Sequence, residues 1–110
     1  MTNSVLMNEK RQSPFHLAYA ENVKDHPRLR DIGRYFDRYE NVLESVPTGH
    51  PQPSGNGKYL FVRSGAGRLQ VNGNISDVRK GTVIEISRGI EYTFIPSPVM
   101  DVRAVDSHRV

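Results

Sequence analysis

The sequence predicts an all-β domain, a sandwich or barrel, on three observations. From Tyr59 onward, short apolar and β-branched runs recur at the ~8–12-residue spacing of such folds. Glycines and prolines punctuate those runs as turns. With 110 residues the chain has room for one core and not for two.

The elements follow in order. Residues 1–30 are polar, with one apolar cluster in which Phe15, Leu17 and Tyr19 alternate with His16, Ala18 and Ala20, the period of a half-buried strand. His26-Pro27 is expected to break any regular element, because the residue before a proline is pushed out of the helical region. From Ile32 to Val46 the signals conflict. Ile32, Tyr35, Phe36, Tyr39, Val42, Leu43 and Val46 fall at helical spacing, whereas Gly33 and the aromatic and β-branched content favour strands.

Pro47 to Lys58 is a Pro/Gly loop. Tyr59–Ser64 then reads as a strand, Gly65-Ala66-Gly67 as a turn and Arg68–Val71 as a strand. Asn72-Gly73-Asn74 supplies the left-handed backbone of a tight hairpin. Ser76–Arg79, Thr82–Ile86, Glu91–Ile95 and Val99–Val105 read as further strands. Between them stand turns at Lys80-Gly81 and Arg88-Gly89 and a break at Pro96-Ser97-Pro98.

Composition removes several classes of function. No cysteine means no disulfide, thiolate metal site, cysteine nucleophile or iron–sulfur centre. A net charge of +3 with no basic stripe argues against nucleic acid as a partner. No apolar run approaches the ~20 residues of a membrane span, and Met1–Lys10 lacks the basic start and apolar stretch of a secretory signal. A cytoplasmic protein with no membrane partner is the expectation.

Two segments resemble the cupin superfamily, a small jelly-roll barrel. Tyr59–Gly67 followed by Arg68–Gly73 is similar to the family's strand ending in a glycine turn. Gly81, Thr82–Ile86, Ser87-Arg88-Gly89 and Ile90-Glu91 follow its second motif up to Tyr92, which stands where the family has a metal-binding histidine; Pro96 stands where it has an asparagine. The resemblance covers roughly residues 40–105. It implies a polar arm over residues 1–30 and a cupin-like jelly-roll barrel over residues 31–110. It also implies a strand at Asn41–Val46, ahead of the turn Pro47-Thr48-Gly49, and leaves residues 32–39 open between helix and strand.

The family's other metal ligands align with His50-Pro51-Gln52 and Lys58. One neutral nitrogen donor survives of four, and an ammonium stands in place of a carboxylate, so neither a metal nor another cofactor is expected.

In cupin geometry His50, Gln52, Lys58 and Tyr92 point into the barrel mouth. Histidine is the natural acid or base near neutral pH, a lysine there holds an anion or a developing enolate, and a tyrosine hydroxyl donates to the same oxygen. Gly49-His50-Pro51-Gln52 also resembles the Gly-His-x-Gln of metal-free cupin dehydratases of nucleoside-antibiotic biosynthesis, where a histidine is the proposed base.

The resemblance thus implies a metal-independent lyase or isomerase (dehydratase, isomerase or epimerase) acting on a sugar, nucleoside or keto compound. His50, Lys58 and Tyr92 are its expected catalytic residues, and Gln52, Tyr59, Phe61 and Phe94 contact the substrate. The alternatives are a non-catalytic domain binding a sugar-like or anionic ligand, and a structural or dimerising domain. The partner is a small molecule in the first two readings, and the chain a monomer or homodimer.

Overall fold

A computed structural model describes residues 14–19, 24–39 and 43–110. Among them the fold is mostly β: one antiparallel sheet of six strands and one long helix. The elements are β1 (Phe15–Ala18), α1 (Pro27–Tyr39), β2 (Glu44–Ser45), β3 (Lys58–Val71), β4 (Asn74–Arg79), β5 (Val83–Ile86) and β6 (Thr93–Asp106), followed by a short 3-10 turn at Ser107–Arg109. The order across the sheet is β1-β5-β3-β6-β2, with β4 also on β3. β1 and β2 stand at the two ends of that path and do not pair with each other, so the sheet is rolled without closing into a barrel.

The conflicting signals over residues 32–39 resolve as helix. Leu29, Ile32 and Phe36 are its buried residues, and they fall on one stripe. Pro27 opens the helix where a break was expected. A proline at the first helical position lacks only an N–H that has no intrahelical acceptor, and its fixed φ suits the helix. The Arg30 amide then donates to the His26 carbonyl at 2.9 Å. α1 straddles residue 30, and β1 pairs with β5 in the register Phe15↔Ile86 to Ala18↔Val83, so parts of the expected arm belong to the sheet and its cover. Of the strand expected at Asn41–Val46 only Glu44–Ser45 forms; residues 41 and 42 lie outside the described residues.

The turn expected at Gly65-Ala66-Gly67 and the break expected at Pro96-Ser97-Pro98 are not chain reversals. Both lie inside the two long strands β3 and β6, which pair from Lys58↔Asp106 to Gln70↔Thr93. Two register shifts interrupt the ladder. Arg63 is extra on β3, and residues 97–99 loop out of β6 opposite Ala66, around a cis Ser97-Pro98 bond. The hairpin expected at Asn72-Gly73 is present, with φ of 50° and 82° at the two residues, and turns β3 into β4.

Alternation then builds two apolar layers. On one face of the sheet Leu60, Val62, Ile84, Ile86, Val102 and Ala104 join Leu69, Val71, Val78, Tyr92 and Phe94 in a single cluster. These residues come from both halves of β3 and β6, so the bulged strands bend and fold the sheet over its own inner face. On the other face Tyr59, Val83 and Val105 pack with Leu29, Ile32 and Phe36 of α1.

Candidate functional site

Lys58 opens β3 on the same face as Leu60 and Val62, directly opposite Asp106 at the end of β6. Its Nζ donates to Asp106 Oδ1 at 2.6 Å. Tyr92 precedes β6 and forms a two-residue bridge with Gln52: the Gln52 amide donates to the Tyr92 carbonyl at 2.8 Å, and the Tyr92 amide to the Gln52 carbonyl at 3.0 Å.

Ser54 fixes this segment in place. It is buried, its Oγ donates to the Ser87 carbonyl at 2.8 Å, and it accepts from the Ile90 amide at 2.9 Å. The Gly89 amide also donates to the Gly55 carbonyl at 2.9 Å. The loop after Gln52 is therefore tied to the turn before Tyr92, and the two residues keep their register.

Glu44 and Ser45 of β2 complete the enclosure, paired with Ala104 and Arg103 of β6. Glu44, Val46, Gln52, Lys58, Tyr92 and Ala104 line a pocket of about 180 Å³ between these elements. Three residues singled out by sequence, Gln52, Lys58 and Tyr92, thus come together. Larger clefts lie along α1, but this one gathers an ammonium, a carboxylate, a carboxamide and a phenol around one small volume.

Tyr92 is 3% exposed and meets the Phe94 ring edge-on, with centroids 5.9 Å apart. Burial, with the Glu44 and Asp106 carboxylates nearby, pushes its hydroxyl up to about 12. The hydrogen bond from Lys58 holds the Asp106 carboxyl below the usual carboxylate value. At neutral pH Tyr92 is therefore a protonated phenol and Asp106 a carboxylate.

The Tyr92 shift has a measurable sign. A phenol whose folded value lies above its unfolded value of 10 adds stability that is full below pH 10 and is lost as pH rises toward 12. Denaturant melts are expected to show that decline, by up to about 2 kcal/mol. A Tyr92→Phe variant, compared over the same range, is expected to lose that component; identical pH profiles for the two proteins contradict the assignment.

The other expected site residues lie elsewhere. His50 is exposed in the loop after β2 and does not line the pocket. Tyr59 and Phe61 alternate with Lys58 and Leu60, and so face α1 on the opposite side of the sheet. The Tyr59 hydroxyl accepts from Arg28 Nη2 at 2.8 Å, and the same guanidinium pairs with Glu85 at 2.7 Å. Phe61 stacks on Phe36 with centroids 5.3 Å apart. Phe94 is 0% exposed inside the inner cluster and belongs to the core.

Glu44 and Asp106 are the residues that sequence reasoning missed. Glu44 stands at the start of a strand only two residues long, and Asp106 reaches Lys58 only through the pairing of β3 with β6.

Among the described residues no three His, Asp or Glu side chains stand close enough together to hold a metal ion. No helix among them is long and apolar enough to cross a membrane. Comparison with known proteins found no family model, no curated protein and no solved structure that matches the chain.

Proposed function

We propose that this chain is a cupin-like binding domain whose Lys58–Tyr92 pocket takes a small, uncharged, hydroxyl-rich molecule of monosaccharide size without a metal. What carries the reading is the fixed hydrogen-bonding character of the pocket. The Tyr92 hydroxyl keeps its proton, so it is not poised for proton transfer near neutral pH and suits a ligand with several hydroxyls. Asp106 does not line the pocket; ionised and bonded to Lys58, it fixes the position of that ammonium. Lys58 gives one of its three donors to Asp106 and keeps donors for a ligand.

Size and charge narrow the ligand. About 180 Å³ is below the ~300–1,000 Å³ of sites for drug-sized molecules, which favours a sugar or small keto compound over a nucleoside. Asp106 offsets the Lys58 charge and Glu44 adds a carboxylate, so the pocket favours a neutral ligand over an anion. An ammonium in the wall also opposes a divalent cation.

The test is titration of the protein with a panel of monosaccharides and small hydroxyketones, followed by NMR and calorimetry. Saturable binding is expected to perturb the Tyr92 and Gln52 amides. Tyr92→Phe and Lys58→Met are each expected to weaken it about 10-fold or more. Binding that leaves both variants unaffected overturns the reading.

A lyase or isomerase acting by proton abstraction next to a carbonyl is the second reading. It is favoured by His50 standing two residues before Gln52, on the segment that carries Gln52 into the pocket. In this reading the substrate extends out of the pocket to the exposed His50, which is the base, while Tyr92 and Lys58 donate to the developing oxyanion. His50→Ala is expected to leave ligand affinity intact and to lower turnover about 10²-fold or more, the usual loss for a positioned base. An unchanged rate rejects His50 as the base, and absence of turnover in the unmodified chain rejects the enzyme and leaves the binding domain standing.

A further inference from the structure

The opposite face of the sheet carries a second cleft with different chemistry. It lies between α1 and the β5 side of the sheet, has a volume of about 280 Å³, and is lined by Arg30, Gly33, Arg34, Asp37, Phe61 and Val83. Arg30 and Arg34 are one helical turn apart, which places both guanidiniums along the same wall. Gly33 leaves the wall between them without a side chain; a Cβ there would meet Val83 at 3.4 Å, so the backbone of α1 sits close over the strand. Phe61 and Val83 form the apolar floor.

Neither guanidinium is satisfied within the fold. Arg30 Nε is buried and makes no hydrogen bond among the described residues; Asp31 Oδ1 lies 3.5 Å from it. Arg34 Nη1 is 3.9 Å from the same Asp31 oxygen, with its side chain 72% exposed. One exposed carboxylate outside the cleft is thus shared at long range by two arginines, and such pairs contribute little. Within the cleft, two positive charges face one negative charge, that of Asp37. Arg30 Nε is out of reach of a ligand, but the side chain as a whole is 40% exposed and lines the cleft, so its terminal guanidinium donors and those of Arg34 are available to an oxyanion.

We propose that this cleft is a binding site for a small oxyanion joined to a flat apolar body, an aromatic carboxylate or an aryl phosphate. Arg30 and Arg34 hold the anionic group, and the body rests on Phe61 and Val83. Arginine suits this task because its planar fork matches carboxylate and phosphate geometry. Asp37 opposes the anion, so removing its charge tightens binding. The site lies on the other side of the sheet from the Lys58–Tyr92 pocket and stands or falls independently of it.

The experiment is calorimetric and NMR titration of the full chain with benzoate, phenyl phosphate and inorganic phosphate. Benzoate or phenyl phosphate is expected to bind saturably below ~10 mM, shifting amides of residues 30–37 and 81–83. Inorganic phosphate, without an apolar body, is expected to bind more weakly, and the preference between the two aryl probes tells carboxylate from phosphate. Arg30→Gln and Arg34→Gln are each expected to lose about 10- to 100-fold in affinity, while Asp37→Asn gains. Asp37→Asn leaves the apolar floor untouched, so its gain separates electrostatic recognition from a change in folding. Absence of saturable binding by the aryl probes overturns the proposal. So does binding that survives both arginine substitutions, or binding indifferent to Asp37→Asn.

Discussion

Gly65→Ala is expected to destabilise the fold by about 3 kcal/mol or more, a large share of the ~5–15 kcal/mol that holds a domain together. Two costs meet at this residue. Gly65 has a φ of +82°, and a Cβ there would overlap the Val99 carbonyl oxygen and lie 2.7 Å from Met100 Cα. The neighbours are backbone, and they cannot rotate aside. Two other glycines separate the costs. Gly73 has the same φ of +82° with nothing within 4 Å of a Cβ, so Gly73→Ala should show the backbone penalty alone, about 1 kcal/mol. At Gly67 no positive φ is involved, but a Cβ would overlap the Ile95 carbonyl oxygen and come within 3.0 Å of Pro96 Cα, so Gly67→Ala should show the close approach alone. Urea melts of the three variants are expected to rank Gly65 worst and Gly73 mildest. Equal losses at Gly65 and Gly73 mean that the strands spread apart at the bulge without cost.

The same glycines mark where local signals stop carrying information. Glycine and proline report an irregular backbone, and at Asn72-Gly73 that irregularity is a chain reversal. At Lys80-Gly81 the expected turn reverses nothing: β4 and β5 both run antiparallel to β3, so the chain kinks there and continues along the same edge of β3. At Pro96-Ser97-Pro98 it is a bulge in β6, with Gly65-Ala66-Gly67 of β3 standing opposite it. Whether an irregular stretch turns the chain or bends a paired strand depends on what stands opposite it, thirty residues away in this chain. Hence the strand content after Tyr59 is legible, and its division into short strands is not. The helix shows the complementary case. Its 3.6-residue stripe is present in the sequence, but Pro27 signals a break or a start equally well until the segment after it is known to be helical.

The candidate site was legible to the same degree. Gln52, Lys58 and Tyr92 come together because each sits at a definite place on a strand or bridge. Asp106, which sets the charge of Lys58's surroundings, is reachable only through the β3–β6 register. Tyr59 and Phe61 were separable from Lys58 by elementary means: residues one and three positions further along a strand point to the other face. Grouping them with Lys58 in one pocket conflicts with the period of the strand that was itself predicted there.

Phe36→Ala is expected to have an effect of similar size, about 3–5 kcal/mol, with a different distribution over the molecule. Phe36 is 1% exposed, stacks on Phe61, and sits in the middle of the cluster by which α1 holds to the sheet. The inner cluster of Leu60, Ile84, Phe94 and Val102 shares no buried member with it. Removing the ring should therefore loosen the helix first. Hydrogen exchange is expected to show α1 amides losing protection through local opening, while amides of β3 and β6 remain the most protected. The Lys58–Tyr92 pocket lies on the inner face, so ligand affinity there should change less than two-fold at a denaturant concentration where the sheet is intact, whereas the Arg30–Arg34 cleft should lose its ligand with the helix. Phe36→Leu keeps most of the apolar volume and should cost clearly less. If α1 and sheet amides exchange together in Phe36→Ala, the two apolar layers form one cooperative unit. The helix is then part of the core on which the pocket depends, and not a cover with a site of its own.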